Sequence, residues 1–303
     1  MAIDGSNPGL NLREVAEKSR RIVETLCRQF PSRTGRSGAS LARSAVWIEQ
    51  EFRSLGYRVT LQRYAAMPAG EVKNLIAEKT GLDPAAPSIV VGAHYDTVPG
   101  TPGADDNASG VAGTLELARL LLPYENRRTL SFVAFTHEEA PYFYTSRMGS
   151  YVYARSLKNS RVPLRAMICL EMIGYGGREL RQSYPFPLMR RIGGFPEHGN
   201  FVGVVGNLRS RKLVKAVYER MKEQCRIGVE RLSAPGFLPP FNLSDQSSFW
   251  RNGYQAVMVT DTAFERNPHY HLESDSPETL NYEFLAEVVG GVYSALLDLD
   301  RME

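Results

Sequence analysis

The sequence predicts an α/β fold: one three-layer domain, residues 1–303, with a central mixed, mostly parallel β-sheet flanked by helices on both faces. Three observations predict this class. Short apolar segments alternate with helical patterns along the chain, as in proteins built on α/β sheets. Most of these segments are apolar throughout, which indicates strands that are covered on both faces. No internal repeat, low-complexity segment or long linker divides the 303 residues, so a single domain is favoured.

The N-terminal region, about residues 11–55, predicts two helices. Apolar side chains recur at helical spacing over residues 11–30, and Pro31 ends the pattern. A second amphipathic pattern covers residues 40–55 and stops at Gly56. Further along the chain, helical patterns are found at 111–122 and 282–299.

Seven segments predict strands, and acidic or histidine residues follow four of them. The predicted strands are 57–64, 74–79, 88–93, 129–135, 165–170, 201–205 and 256–259. His94 follows the third strand, His137-Glu138-Glu139 the fourth, Glu171 the fifth and Asp261 the last. Ligands in open α/β sheets bind beyond the carboxyl ends of the strands. Because chance would scatter such residues over both ends, this convergence predicts a functional site at one edge of the sheet.

Composition and charge exclude several classes of function. The net charge of +3 comes from 36 basic and 33 acidic residues and favours neither a nucleic-acid nor a membrane partner. The basic cluster at 209–215 is typical of a solvated helix face. Three distant cysteines predict no disulfide framework. No apolar run approaches the ~20 residues of a membrane span, and residues 1–12 do not resemble a signal peptide. We therefore expect a cytoplasmic protein, with secretion left open if a signal had been removed.

Side chains that bind divalent metals are concentrated between residues 94 and 139. His94 lies at a strand end, and the carboxylate of Asp96 is placed to take its second ring N–H and fix the tautomer. Two adjacent aspartates lie in the Gly-Ala-Asp-Asp-Asn-Ala-Ser-Gly segment at 103–110, and one of them would bridge two cations. Of Glu138 and Glu139, one would bind metal and the other would act as a general base. The structural alternatives are an ordinary buried histidine, a helix cap and a surface pair.

Other candidates lie further along the chain. Glu171 ends an apolar strand, where an acid has few structural reasons to lie. His269 and His271 are two residues apart in an extended segment, so they face opposite ways and one of them is the expected ligand. Asp261 and Asp275 fit a supporting role or a turn equally well. Pocket lining and core packing are equally supported for the aromatic residues Tyr142, Phe143, Tyr144, Tyr151 and Tyr153. Serine-hydrolase and phosphate-binding motifs are absent from the sequence.

The order of these motifs resembles that of the co-catalytic zinc aminopeptidases. In chain order the motifs are His94-Tyr95-Asp96, the Asp-Asp-Asn segment, Glu138-Glu139, Glu171 and Tyr270-His271. The resemblance covers about residues 94–280. Relatives in this family include bacterial leucyl aminopeptidase, glutamate carboxypeptidase, glutaminyl cyclase and the transferrin receptor ectodomain. The resemblance implies one metallopeptidase domain whose metal site is built from residues 94–271.

The resemblance also implies a role for each site residue. Two zinc ions are expected, with the ligands His94, Asp106, Glu139, Glu171 and His271. Asp106 would bridge the two ions, Glu138 would be the general base, and Asp96 would orient His94. The peptide bond from Asp106 to Asn107 is cis in such enzymes.

This sequence departs from the family pattern at two positions. Residue 171 is glutamate where the leucyl aminopeptidases have aspartate, which bears on how the second metal is held and which metal is preferred. Residue 246 is glutamine where relatives often have histidine. The segment Ser244-Asp245-Gln246 resembles a family loop near the pocket and receives no chemical role from the sequence.

The expected function is that of a zinc-dependent aminopeptidase, which hydrolyses the N-terminal residues of peptides through a metal-bound hydroxide with Glu138 as general base. The expected partner is a peptide or a small amino-acid-derived substrate. The alternatives are a single-zinc transferase similar to glutaminyl cyclase, a carboxypeptidase or amidohydrolase, and a non-catalytic binding module. The preferred N-terminal side chain and the oligomeric state are not determined by the sequence. Pocket shape is expected to depend on the loops 141–153 and 183–187.

Overall fold

A computed structural model of the protein describes residues 10–35, 39–66, 70–186, 190 and 193–302. Residues 1–9 lie outside this part of the chain. They belong to the segment 1–12, which does not resemble a signal peptide. Residue 187, at the end of one predicted pocket loop, also lies outside it.

The centre of the fold is one eight-stranded mixed sheet. Its strands are β1 (Arg58–Ala65), β2 (Glu71–Lys79), β3 (Ser88–His94), β4 (Leu130–Phe135), β5 (Leu164–Glu171), β6 (Phe201–Asn207), β7 (Gly228–Ala234) and β8 (Ala256–Thr260). The spatial order is β1-β2-β4-β3-β5-β8-β6-β7. The four central strands β4, β3, β5 and β8 are mutually parallel, whereas β2 and β6 run antiparallel to their inner neighbours. Central parallel strands place their carboxyl ends at one edge of the sheet, and this edge carries the site.

Helices cover both faces of the sheet. They are α1 (Leu12–Gln29), α2 (Ala39–Ser54), α3 (Gly110–Leu120), α4 (Gly149–Asn159), α5 (Arg211–Gln224), α6 (Gln246–Arg251) and α7 (Tyr282–Arg301). The larger apolar core lies on the face covered by α1, α2, α3, α5 and α7. A smaller core around Phe135, Tyr153 and Phe249 lies on the face covered by α4 and α6. Every residue of β4, β6 and β8 is buried, as expected for strands covered on both faces. The predicted three-layer α/β fold is confirmed.

The first and last helices of the chain pack against each other. The side chain of Asn11 caps α1 by accepting a hydrogen bond from the backbone N–H of Glu14 at 3.3 Å. The buried stripe of α1 includes Val15, Val23 and Leu26, and it contacts α7 and α3. These two helices therefore lie in one layer although they are far apart in the sequence.

Four elements, namely β7, α4, α5 and α6, were not delimited from the sequence. The edge strand β7 is half exposed and carries Glu230 and Arg231, so its pattern is not apolar. The helices α4 and α5 have an amphipathic pattern rich in basic residues, of which only the cluster at 209–215 was interpreted. That cluster lies at the exposed start of α5, as predicted. Among the described residues, no helix is long and apolar enough to cross a membrane.

Candidate metal centre

Four adjacent strand ends build the site. His94 is the last residue of β3, and it pairs in register with Phe135, the last residue of β4. Glu171 is the last residue of β5 and pairs with Thr260, the last residue of β8. Because these strands are parallel and their ends are level, the residues that follow them converge above the same edge.

Two clusters of metal-binding groups share Asp106. In the first cluster, His94 Nε2 lies 3.2 Å from Asp106 Oδ1 and 3.4 Å from Glu171 Oε2. In the second, His271 Nε2 lies 3.0 Å from Asp106 Oδ2 and 3.2 Å from Glu139 Oε1. Within each cluster the ligand atoms lie within 4.8 Å of one another. The structure thus brings together all five expected ligands, with one oxygen of Asp106 facing each cluster.

The chemistry of these groups fits zinc. His94 Nε2, Glu139 Oε1 and His271 Nε2 are buried and have no hydrogen-bond partner among the described residues. Burying such atoms without partners costs free energy, which a bound cation would offset. Imidazole nitrogen and carboxylate oxygen are common zinc ligands, and each cluster offers three of them. A position for a further ligand would remain at each ion, as in catalytic zinc sites.

Like charges and burial shift the acid–base equilibria of the site. Burial raises the pKa of Glu139 to about 7 and raises the pKa of Glu138 well above its usual value. Burial disfavours the charged form of His94, but the carboxylates of Glu171 and Glu138 outweigh it and raise the pKa of that imidazole. Burial likewise opposes the charge on His271, yet the carboxylates of Asp106 and Glu139, 3.0 and 3.2 Å from its Nε2, raise its pKa to about 10. Protons therefore occupy this site in the metal-free protein, and metal binding would displace them.

Asp96 supports the site differently from the prediction. His94 Nδ1 lies 3.1 Å from the backbone carbonyl oxygen of Asp96 but 3.6 Å from its carboxylate, which is too far for a hydrogen bond. The carboxylate instead accepts hydrogen bonds from the backbone N–H groups of Glu138 and Glu139, both at 3.1 Å. The expected carboxylate–imidazole contact is therefore wrong in detail. The carbonyl orients His94, and the side chain fixes the loop that carries the two glutamates.

Asp275 and Asn107 hold the turn that presents Asp106. The carboxylate of Asp275 accepts from the backbone N–H groups of Asp105 and Asp106, at 2.9 and 3.1 Å. The Asn107 side chain donates to the carbonyl oxygen of Leu170 at 2.9 Å and accepts from the Gly110 N–H at 3.1 Å. The Asp106–Asn107 peptide bond is cis, as the resemblance implied. Of the adjacent aspartates, Asp106 faces the two clusters, whereas Asp105 binds the backbone N–H of Gly174 and the side chain of Asn267.

Arg33, which the sequence analysis did not single out, joins two segments of the site. Its side chain is fully buried and donates to the carbonyl oxygens of Tyr95, Pro102 and Gly103 at 2.7, 2.8 and 2.9 Å. Two longer bonds, of 3.2 and 3.4 Å, reach carbonyls at the end of α1. Tyr95 follows His94, and Gly103 begins the turn of Asp106, so one guanidinium fixes both ligand segments. Its partners are carbonyls contributed by distant parts of the chain, which no local motif reveals.

Comparison with known proteins places the chain in a family. Residues 74–295 match the description Peptidase family M28. The chain belongs to peptidase family M28. This M28 member is 39% identical over 289 residues to the uncharacterized protein YfbL of Escherichia coli, covering 92% of this chain and 87% of that protein. It is 28% identical to aminopeptidase YwaD of Bacillus subtilis, covering 74% of this chain but only 45% of YwaD. The resemblance found in the sequence and the hydrolase class that it implied are confirmed.

Solved structures have the same fold as this M28 chain. LapA of Legionella pneumophila has a TM-score of 0.77 at 20% identity, with 96% of this chain and 75% of LapA covered. BSAP, a zinc aminopeptidase from Bacillus subtilis, has a TM-score of 0.72 at 16% identity, with 93% of this chain and 94% of BSAP covered. A glutaminyl cyclase of Bacteroides thetaiotaomicron has a TM-score of 0.70 at 17% identity, with 95% of this chain and 98% of that chain covered. At these identities the likeness establishes the fold alone.

The side chain of Glu171 is held by Ser244 and Asn107. Ser244 Oγ donates to Glu171 Oε2 at 2.5 Å, and Asn107 Nδ2 lies 3.2 Å from the same oxygen. The longer glutamate side chain is thus anchored through one oxygen. Within the same loop, Gln246 Nε2 donates to the carbonyl oxygen of Phe241 at 3.2 Å and contacts neither cluster, while Asp245 is fully buried beside Glu171.

Several predicted candidates lie outside the two clusters. His269 faces away from His271, as expected, and its Nδ1 lies 2.9 Å from Ser274 Oγ. Asp261 accepts from the backbone N–H of Ala263 within its own turn and from that of Tyr175, 86 residues away, so it combines the turn and supporting roles that the sequence left open. The aromatic residues that were candidates for pocket lining do not line the cavity that borders Glu171. Tyr142 stacks on His137, and Tyr153 lies in the smaller core. Tyr144 and Tyr151 contact Arg251.

Proposed function

We propose that the protein is an aminopeptidase that binds two zinc ions and removes N-terminal residues from peptides. The observation that carries this proposal is the sharing of Asp106 between two three-residue clusters, with Glu138 left outside both. Glu138 Oε2 lies 3.9 Å from His94 Nε2, so a second carboxylate faces the same space without being needed as a ligand. Relatives named as aminopeptidases, among them YwaD, support the assignment.

The residues of the chain have distinct tasks in this reaction. Two bound zinc ions would polarise the scissile carbonyl and lower the pKa of a water molecule. Glu138 accepts the proton of the attacking water and returns it to the leaving amine. The burial that raises its pKa suits a group that must both take and release a proton near neutral pH. Asp96 fixes the backbone of Glu138 and Glu139, so base and ligand keep their relative positions.

The decisive variant is Glu138→Gln, which keeps the shape of the side chain and removes its basicity. We expect kcat on aminoacyl-anilides to fall by about 10²- to 10⁴-fold, with zinc content unchanged in metal analysis. Glu219→Gln, on an exposed position of α5, is the matched control and should have normal activity. Full activity of Glu138→Gln would contradict the role of the general base.

Metal content and substrate blocking separate the rival functions. An aminopeptidase of this kind should take up close to two zinc ions per chain and reject anilides whose N-terminus is acetylated. One zinc ion, together with cyclisation of N-terminal glutamine, would favour a transferase similar to glutaminyl cyclase. Cleavage of blocked substrates would favour a carboxypeptidase or an amidohydrolase. A protein that takes up no zinc and is not destabilised by chelator would be a binding module.

A further inference from the structure

A cavity opens directly beside the candidate metal centre. Glu171 forms one end of it, and Tyr270, the neighbour of His271, forms part of its wall. Residues of β8, β6 and β7, among them Met258 and Phe201, form its floor, and the remaining walls are largely apolar, with Phe241 and Leu243 among them. A substrate bound at the metal centre would therefore have this cavity within reach of its first side chain.

One row of the sheet leads from the metal centre to an acid at the far side of the cavity. Glu171 of β5 pairs with Thr260 of β8, Thr260 pairs with Gly203 of β6, and Gly203 pairs with Glu230 of β7. All four residues line the cavity. Since neighbouring strands lie about 4.8 Å apart, three spacings place the backbone of Glu230 about 14 Å from that of Glu171.

Glu230 lacks a fixed cationic partner. Among the described residues, no lysine or arginine lies within 4.0 Å of its carboxylate. Its neighbour Arg231 also borders the cavity, but its guanidinium lies 4.8 Å over the ring of Tyr218 on α5. Arg266 is engaged elsewhere, because it lies over Phe201 and donates to Gln182 at 2.8 Å. Partial burial raises the pKa of Glu230, and Lys222 on α5 opposes this shift from beyond ion-pair distance while its Nζ donates to Tyr218 Oη at 2.9 Å.

Gly203 leaves the path between the two glutamates open. A Cβ at this position would lie 3.5 Å from the carbonyl oxygen of Thr260, an ordinary van der Waals contact, so the backbone does not require glycine here. What glycine provides is an uncovered floor between Glu171 and Glu230.

We propose that this cavity receives the side chain of the substrate's N-terminal residue and that Glu230 selects a long cationic one, arginine or lysine. The inference rests on the proposed aminopeptidase function. Arginine and lysine side chains extend about 6 to 7 Å from Cα to their charged end. Their methylene groups fit the apolar walls, and the cation reaches the carboxylate of Glu230 while the scissile carbonyl remains beside Glu171. Leucine is too short to make this contact.

The test compares arginyl and citrullyl anilides on the zinc-loaded enzyme, because citrulline has the length and shape of arginine without its charge. We expect the arginyl substrate to have the higher kcat/KM in the unmodified protein. In Glu230→Gln the ratio of the two values should fall by about 10- to 100-fold, as expected for losing a hydrogen-bonded charge partner. Thermal unfolding with added L-arginine or L-citrulline provides a second readout that does not depend on turnover.

Two further variants test the assignment to Glu230 and the uncovered floor at Gly203. Glu265 is another acid of the cavity wall, but its carboxylate already accepts from Ser183 Oγ at 2.6 Å, so Glu265→Gln should leave the ratio nearly unchanged. An equal effect of Glu265→Gln would overturn the assignment to Glu230. Gly203→Val should abolish cleavage of arginyl and citrullyl anilides while alanyl anilide is still cleaved, which also shows that the variant is folded.

Failure of this inference can be distinguished from failure of the proposed function. An enzyme that cleaves leucyl anilide best, with an arginine-to-citrulline ratio insensitive to Glu230→Gln, overturns the specificity and leaves the aminopeptidase intact. A protein that cleaves none of these anilides when loaded with zinc overturns the aminopeptidase, and this inference falls with it.

Discussion

Arg33→Lys tests whether one buried guanidinium stabilises the metal centre. The substitution keeps the positive charge but replaces five N–H donors by three on a differently shaped end. Of the three short bonds, to Tyr95, Pro102 and Gly103, an ammonium group at one point can retain about one. Losing two bonds from a charged donor, at about 1.5 kcal/mol each, predicts that the free energy of unfolding falls by about 3 kcal/mol. The loss is large because the two carbonyls left behind are buried.

Urea unfolding of the metal-free protein, followed by the fluorescence of Trp47 and Trp250, measures this change. The matched control is Arg13→Lys, since Arg13 has a side chain that is 89% exposed and contributes a surface ion pair. The control should change the unfolding free energy by less than about 0.5 kcal/mol. A loss below about 1 kcal/mol for Arg33→Lys would refute the reasoning that these bonds act together.

Two further predictions concern the groups around the metals. Asp96→Asn offers one carbonyl oxygen to the two backbone N–H groups that the carboxylate now accepts, so it should cost about 2 kcal/mol in urea unfolding; an unchanged midpoint would contradict this. The free energy of unfolding of the metal-free protein should fall as pH rises from about 4.5 to about 10. The pKa values of Glu139 (about 7) and His271 (about 10) in the folded protein exceed their ordinary values. The folded state therefore holds more protons than the unfolded state over this pH range, and raising the pH removes that stabilisation. Zinc should therefore stabilise the folded protein more at pH 8 than at pH 5.5, and calorimetry should detect protons released on zinc binding. Stabilisation by zinc that does not depend on pH would contradict the displacement of protons by the metal.

The sequence predicted the centre of the sheet and the edge strand β1 better than the opposite edge, β7. Strands β3, β4, β5 and β8 were placed within about a residue, because strands buried on both faces must be apolar throughout. The edge strand β7 was missed because its exposed face permits Glu230 and Arg231. Local pattern therefore identifies a strand that is apolar throughout or, like the edge strand β1, alternates and is rich in β-forming residues, but it misses a strand such as β7 that has neither pattern.

The five expected ligands came from the sequence, but the groups that hold them did not. Strand ends and motifs supplied the candidates, the family resemblance chose Asp106, Glu139 and His271 among neighbouring alternatives, and the structure brings these three together with His94 and Glu171. Asp275 and Ser244 were not assigned, because each contacts its partner across more than 70 residues of sequence and by ordinary hydrogen bonds. Such contacts depend on how the sheet closes, which composition and spacing do not determine.

The pairing of the first and last helices has a consequence for biosynthesis. Because α1 buries its apolar stripe partly against α7, a growing polypeptide exposes that part of the stripe until α7 has been synthesised. His271 follows the other four expected ligands along the chain, so a polypeptide that ends before it lacks one member of the second cluster. We therefore expect forms of this hydrolase that lack His271 and α7 to be inactive and prone to aggregation.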